Sequence, residues 1–205
     1  MNFDNFDALI FDMDGTLIDS GKLHEHAWSD TLKTFGIPID AKLMRSLAGV
    51  PTDKTIVHLA QHFNITLNTS VDEIRAHKEA FVDANLKQFI KPTTLSETLR
   101  CYSKVKPCAV GTGSNTEEAH KILDFCQLLP LIDHIVGADQ VANPKPAPDT
   151  FLRCAELLQV PARNCIVFED AALGIEAAQN AQMQVIDVAE KLGIINDYFS
   201  PKLSP

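Results

Sequence analysis

The stretch Ala8-Leu9-Ile10-Phe11-Asp12-Met13-Asp14-Gly15-Thr16 decides the fold. Four apolar residues in a row, without polar alternation, predict a short strand buried on both faces, as in a parallel sheet. The run then breaks into acids, a glycine and a threonine. The pattern recurs later in the chain. Cys108-Ala109-Val110 stops at Gly111-Thr112-Gly113-Ser114, and Cys165-Ile166-Val167-Phe168 stops at Glu169-Asp170. Ile135-Val136 and Val185-Ile186 are shorter runs of the same kind. Helical periodicity separates these runs, over residues 95–103, 117–125, up to 158, and 171–179. Strands alternating with helices predict an α/β fold, a Rossmann-like parallel sheet with right-handed crossovers.

Between the first strand and Pro92 the rhythm is different. Leu23, Ala27, Leu32 and Phe35 predict a helix over 20–36, closed by Gly36-Ile37-Pro38. Ile56, Leu59, Ala60 and Phe63 predict another over 52–63. Ile74, Phe81, Leu86 and Phe89 predict a third over 71–90, and no strand is expected between 17 and 90. The expected organisation is a catalytic core of residues 1–16 and 91–190, an inserted helical domain of 17–90, and a C-terminal tail of 191–205 that carries no signal.

The 205-residue chain is 45% apolar and 22% charged, ordinary for a folded domain, with a formal charge of −9. Such a negative chain is a poor partner for nucleic acid or an anionic membrane, which need neutralising Lys and Arg. No apolar run approaches the roughly 18 residues of a spanning helix. The acidic start, Met1 to Asp7, is unlike a basic signal peptide. Five cysteines without C-x-x-C spacing suit reduced thiols in a cytoplasmic protein, expected to be a monomer.

In open parallel sheets ligands bind beyond the carboxyl ends of the strands. Asp12 and Asp14, Thr112 to Ser114, and Glu169-Asp170 all stand at such ends, and Lys145 lies in the proline-rich loop Asn143-Pro144-Lys145-Pro146-Ala147-Pro148. Side chains two apart on a strand share a face, so Asp12 and Asp14 are expected to address one centre. With Asp170 they form an oxygen-only set suited to a hard cation such as Mg²⁺. Mg²⁺ and Lys145 together offset the crowded carboxylates. One carboxylate can then attack phosphorus, while its neighbour, raised in pKa by like charge, serves as general acid. Thr112 and the amides of the turn through Gly113 and Ser114 are candidates for holding phosphoryl oxygens. His58 and His62 share a helical face but lack the glutamate of H-E-x-x-H, and read as a solvated pair. Trp28 and Phe35 read as packing residues. Lys22, Lys54 and Lys78 rank last as contacts for substrate.

D-x-D-G-T, a strand-ending Thr, a loop Lys and an acidic pair, in that order, resemble the haloacid dehalogenase superfamily. The insertion after the first motif is similar to its type I helical cap. Asp12–Thr16, His24 to Trp28, Gly49-Val50, Lys145 to Asp149 and Glu169-Asp170 resemble the β-phosphoglucomutase-like subgroup. Within it the pattern looks most like small bacterial sugar-phosphate phosphatases of the fructose-1-phosphatase type. The likeness covers residues 6–188. It implies that Asp12 is a nucleophile forming an aspartyl phosphate, and that Asp14 is general acid and then base. It implies that Thr112 binds the phosphoryl group and Lys145 links it to the nucleophile. Asp170 would ligate Mg²⁺ with Asp12 and the backbone carbonyl of Asp14, and Glu169 would do so through water. His24 and Thr52 would face the substrate from the cap, a small phosphorylated sugar or sugar acid such as fructose 1-phosphate or 6-phosphogluconate.

The cap departs from the mutase pattern. β-Phosphoglucomutases carry a Lys before and an Arg after the Gly-Val, which grip a second phosphate. Here those places hold Ala48 and Thr52. Each lost charge-assisted contact costs roughly 1.5–3 kcal/mol, so hydrolysis is favoured over isomerisation. A β-phosphoglucomutase-type isomerase is the alternative. An aspartate-phosphorylated signalling module is more distant, since receiver domains lack the helical insertion. Nucleotide binding through Gly111-Thr112-Gly113 comes last, without a G-x-G-x-x-G or a P-loop.

Overall fold

The structure is a computed structural model, and it describes residues 2–200. Five parallel strands form the sheet: β1 (Ala8–Phe11), β4 (Cys108–Gly111), β5 (His134–Val136), β6 (Cys165–Glu169) and β7 (Gln184–Asp187). Their spatial order is β5-β4-β1-β6-β7, so the decisive first run is the central strand. It pairs with β4 through Leu9↔Cys108 and with β6 through Ala8↔Cys165. All four of its residues are fully buried, the physical reason for the unbroken apolar run.

Strand periodicity divides the core in two. Leu9, Phe11, Cys108, Val110, Ile166 and Phe168 face one apolar layer. Helices α5 (Leu95–Tyr102) and α6 (Thr116–Phe125) cover that side. Ala8, Ile10, Ala109, Cys165 and Val167 face the other layer, under α7 (Asp149–Leu157) and α8 (Ala172–Asn180). Phe11 and Phe168 stack with ring centroids 4.8 Å apart, which locks the two strands that end in acids.

Four helices lie between β1 and α5: α1 (Gly21–Thr34), α2 (Ala41–Ser46), α3 (Thr52–His62) and α4 (Val71–Phe89). They enclose a third apolar cluster of Trp28, Leu32, Met44, Ile56, Leu59 and Ile74. Ser70 and Glu73 close a capping box at the start of α4. Helix α2 escapes the periodicity because its six residues bury only Met44.

Two expectations need correction. Ile18–Asp19 forms a strand, β2, pairing antiparallel with β3 (Lys91–Pro92) where the chain leaves and re-enters the sheet layer. Two residues are too few for any periodicity to register. On α4 the buried stripe is Ile74, Lys78, Val82 and Leu86, whereas Phe81 and Phe89 are half-buried. His58 and His62 are exposed, as read from the sequence. Four of the five cysteines are buried and all are free thiols. Among the described residues no helix is long and apolar enough to cross a membrane.

Candidate active site

Four distant segments meet at the carboxyl edge of the sheet. Asp12 follows β1, Glu169 ends β6, and Lys145 reaches in from the proline-rich loop. The Lys145 ammonium donates to Asp12 Oδ1 and to Glu169 Oε2, each at 2.7 Å, and to the Gly111 carbonyl at 3.2 Å. It is buried, and it lies 4.7 Å from the centroid of the Phe151 ring. Burial works against its charge, but the carboxylates of Asp12 and Glu169 outweigh that and raise its pKa.

Burial pushes the Asp12 carboxyl up to about 7 against the pull of Lys145, with Asp170 and Asp14 adding to the rise. Glu169 is likewise raised to about 7 by burial and by Asp12. Asp170 reaches about 7 through burial and the neighbouring Glu169. One ammonium therefore faces three crowded acids. Oxygens of Asp12, Glu169 and Asp170 lie within 4.8 Å of one another, an oxygen-only donor set that fits a hard divalent cation. Glu169 Oε1 accepts from the backbone N–H groups of Asp170 (3.1 Å) and Ala171 (3.0 Å), so Lys145 and this turn already occupy both its oxygens. Asp170 is aimed by the Thr16 hydroxyl, which donates to its Oδ1 at 2.9 Å.

Asp14 departs from expectation. It lies past the end of β1, where strand alternation no longer applies, and its carboxylate lines the same cavity but is held by partners outside the acid cluster. Oδ1 accepts from the Ser20 hydroxyl at 2.7 Å and pairs with His24 Nε2 at 3.0 Å, while Oδ2 accepts from the Ser114 hydroxyl at 3.0 Å. Burial raises its pKa, but the His24 charge and these hydrogen bonds win and hold it well below the usual carboxylate range. Its carboxylate is thus neither a member of the acid cluster nor raised by like charge. Gly15 makes this turn possible, with φ at +86°.

A cavity opens between the sheet edge and the helices. Asp12, Asp14, Thr112, Gly113, Ser114, Glu169 and Asp170 line one side. His24, Trp28, Ala48, Thr52 and Lys78 belong to the opposite wall. Thr112 is buried, and its hydroxyl accepts from the Ser114 N–H at 3.1 Å. The structure thus brings together every site residue named from the sequence. It also supplies one that the sequence ranks last. Lys78 is only 4% exposed, its ammonium lies 5.6 Å from the Trp28 ring centroid, and no ion pair among the described residues includes it. The signal for it was present: Lys78 interrupts an i, i+4 apolar stripe, where a lysine needs a reason. Trp28 both packs in the helical core and lines the cavity.

The sequence pattern of the haloacid dehalogenase-like hydrolases matches residues 9–188, nearly the whole chain. The chain belongs to that family. It is 36% identical over 189 residues to the fructose-1-phosphate phosphatase YqaB of Escherichia coli, covering 91% of this chain and 98% of that protein. A phosphorylated carbohydrates phosphatase of Thermotoga maritima is 31% identical over 182 residues, covering 88% of this chain and 83% of that one. The crystal structure of a β-phosphoglucomutase from Clostridium difficile superimposes with a TM-score of 0.81 at 25% identity, covering 97% and 94% of the two chains. The chain is an enzyme, a phosphatase-type hydrolase of this family.

Proposed function

We propose that the protein hydrolyses a phosphate monoester of a small sugar or sugar acid, of the fructose 1-phosphate or 6-phosphogluconate kind, with Mg²⁺ at the acid cluster. The observation that carries this reading is the meeting of Asp12, Lys145, Glu169 and Asp170 at one end of the cavity. Asp12 Oδ1 accepts from Lys145, which leaves the second oxygen to attack phosphorus. The Asp12–phosphorus bond forms as the ester oxygen–phosphorus bond breaks, giving an aspartyl phosphate. Thr112 and the backbone through Ser114 hold the phosphoryl oxygens, and Lys145 neutralises charge developing between phosphate and nucleophile. When bound, Mg²⁺ adds positive charge against Asp12, Asp170 and the phosphoryl oxygens.

The leaving sugar oxygen needs a proton. The hydrogen-bonded pair of Asp14 and His24, 3.0 Å apart and both lining the cavity, is placed to supply it. Asp14 then takes a proton from water as the water attacks phosphorus, which frees phosphate and restores Asp12.

In this reading residues 17–90 act as a cap that selects substrate over a core of residues 1–16 and 91–190. The wall they offer favours hydrolysis over isomerisation. Ala48 and Thr52 line the cavity without charge, and among the described lining residues Lys78 is the one Lys or Arg that residues 17–90 contribute. One ammonium suits the hydroxyls or carboxylate of a monophosphate better than a second phosphate that must be gripped and turned. Phosphate release across sugar phosphates, 6-phosphogluconate and nucleoside monophosphates tests the proposal, with sugar phosphates or sugar acids expected to lead. Conversion of β-glucose 1-phosphate to glucose 6-phosphate without free phosphate would install the isomerase instead.

A further inference from the structure

The family pattern ends at residue 188, yet the chain beyond it returns to the site. After α9 (Val188–Leu192), Gly193 turns the backbone at φ +67°. Ile194 then enters the apolar layer on one face of the sheet. Two residues on, Asn196 Nδ2 donates to Asp170 Oδ2 at 2.8 Å. Asn196 Oδ1 accepts from the Tyr198 N–H at 3.0 Å, which fixes the amide with its donor toward Asp170. The fit leaves no slack. A Cβ at Gly15 would come within 2.2 Å of Asn196 Nδ2, and one at Gly21 within 2.5 Å of its Oδ1.

The segment then fastens to the helices. Phe199 is buried in their apolar cluster with Trp28 and Met44. Its N–H donates to Glu25 Oε2 at 3.2 Å, and the Arg45 guanidinium donates to its carbonyl. Lys22 pairs with Asp197 at 3.5 Å. One short stretch therefore touches the sheet layer, an acid of the cluster and the helical wall.

We propose that Asn196 is a positioning residue for Asp170, and that residues 194–200 form a strap tying the Asp170 carboxylate to the seat of the helices. The inference rests on Asp170 being a ligand of the cation. Among the described residues, two side chains donate to Asp170 and they come from different places: Thr16 from the first motif at Oδ1, Asn196 from the strap at Oδ2. Removing the second frees a carboxylate whose terminal torsion is soft. Outer partners of metal ligands are worth roughly 10–100-fold in metal affinity. Phe199 touches no acid of the cluster and packs with Trp28 and Met44, so a double variant with Asn196 separates an effect that passes along the strap from one that passes through the helices.

Calorimetric titration of Mg²⁺ into the full chain, without substrate, tests this. Asn196→Ala is expected to weaken Mg²⁺ binding about tenfold or more. Phe199→Ala is expected to weaken it several-fold, and Phe199→Leu, which keeps the anchor apolar, to retain wild-type affinity. The double variant Asn196→Ala/Phe199→Ala is expected to bind no more weakly than Asn196→Ala, since both changes release one device. If Phe199→Ala does not fold, Arg45→Gln removes an anchor without opening the core and is expected to act in the same direction. Hydrogen exchange of residues 194–200, measured without metal, should be slow in the wild type and fast in Phe199→Ala. Wild-type Mg²⁺ affinity in Asn196→Ala, or in Phe199→Ala with exchange protection lost, would overturn the strap alone. A wild-type protein that binds no Mg²⁺ would overturn the assignment of the cation site, and the strap with it.

Discussion

The carboxyl edge of the sheet and the helical wall face each other across one cavity on opposite terms. The edge packs Asp12, Lys145 and Glu169 into contacts of 2.7 Å, all nearly excluded from solvent. The wall presents Trp28, Leu47, Ala48, Val50 and Thr52, with Lys78 held over an indole. Buried charge that is paired and aimed is costly to assemble and suits a reaction that is always the same. A mostly apolar wall with one cation suits discrimination among ligands that differ away from the phosphate. Changes at the edge should therefore strike turnover, and changes on the wall should strike substrate affinity.

The largest break in that contrast is Asp12→Asn. Turnover should fall by more than about a thousandfold, while circular dichroism stays native because Lys145 keeps its bond to Glu169. Near-normal rates would remove Asp12 from the chemistry. Lys145→Met should cost about a hundred- to a thousandfold in kcat. It also leaves Asp12 and Glu169 buried without their cation, a loss of about 3–5 kcal/mol when both are ionised. Urea unfolding should show a smaller loss at pH 5.5 than at pH 8, because protonation relieves the two acids; an equal loss at both would contradict the pairing.

On the wall, Lys78→Met should raise KM about tenfold, the loss of one charged hydrogen bond, with kcat little changed. A fall in kcat at constant KM would move Lys78 to the catalytic side of the comparison. The smallest effect concerns stability. Asp12, Glu169 and Asp170 have pKa values raised to about 7 from ordinary values of 3.8, 4.5 and 3.8. Between those values and 7 the folded protein binds more protons than the unfolded chain, so metal-free stability falls as pH rises through this window. A cation that replaces those protons stabilises more at high pH. The rise in Tm on adding Mg²⁺ should therefore be greater at pH 8 than at pH 5.5, and EDTA should reverse it along with activity. A pH-independent rise would place the ion elsewhere.

The two regions also differ in how far they can be read from sequence. β1 and β6 announce themselves because burial on both faces leaves only apolar residues, and the polar residues that end them stand out. Lys145 is marked by the prolines around it. The wall is harder. Lys78 is visible only once Ile74, Val82 and Leu86 are recognised as its neighbours on one stripe, and Phe81 and Phe89 suggest a competing face. The strand alternation that relates Asp14 to Asp12 in the sequence ends at Phe11, and the partners of Asp14, Ser20, His24 and Ser114, are set by tertiary contact. Asn196 has no local pattern; only the return of the chain past Gly193 brings it to Asp170.

In the proposed reaction the Asp12 carboxylate itself receives the phosphoryl group. Rapid acid quench of the enzyme turning over a ³²P-labelled sugar phosphate, followed by peptide mapping, tests it directly. Acid-stable, hydroxylamine-labile label is expected on the peptide carrying Asp12 and is expected to be absent from Asp12→Asn. Turnover with no labelled protein, or with label on a different residue, would contradict it.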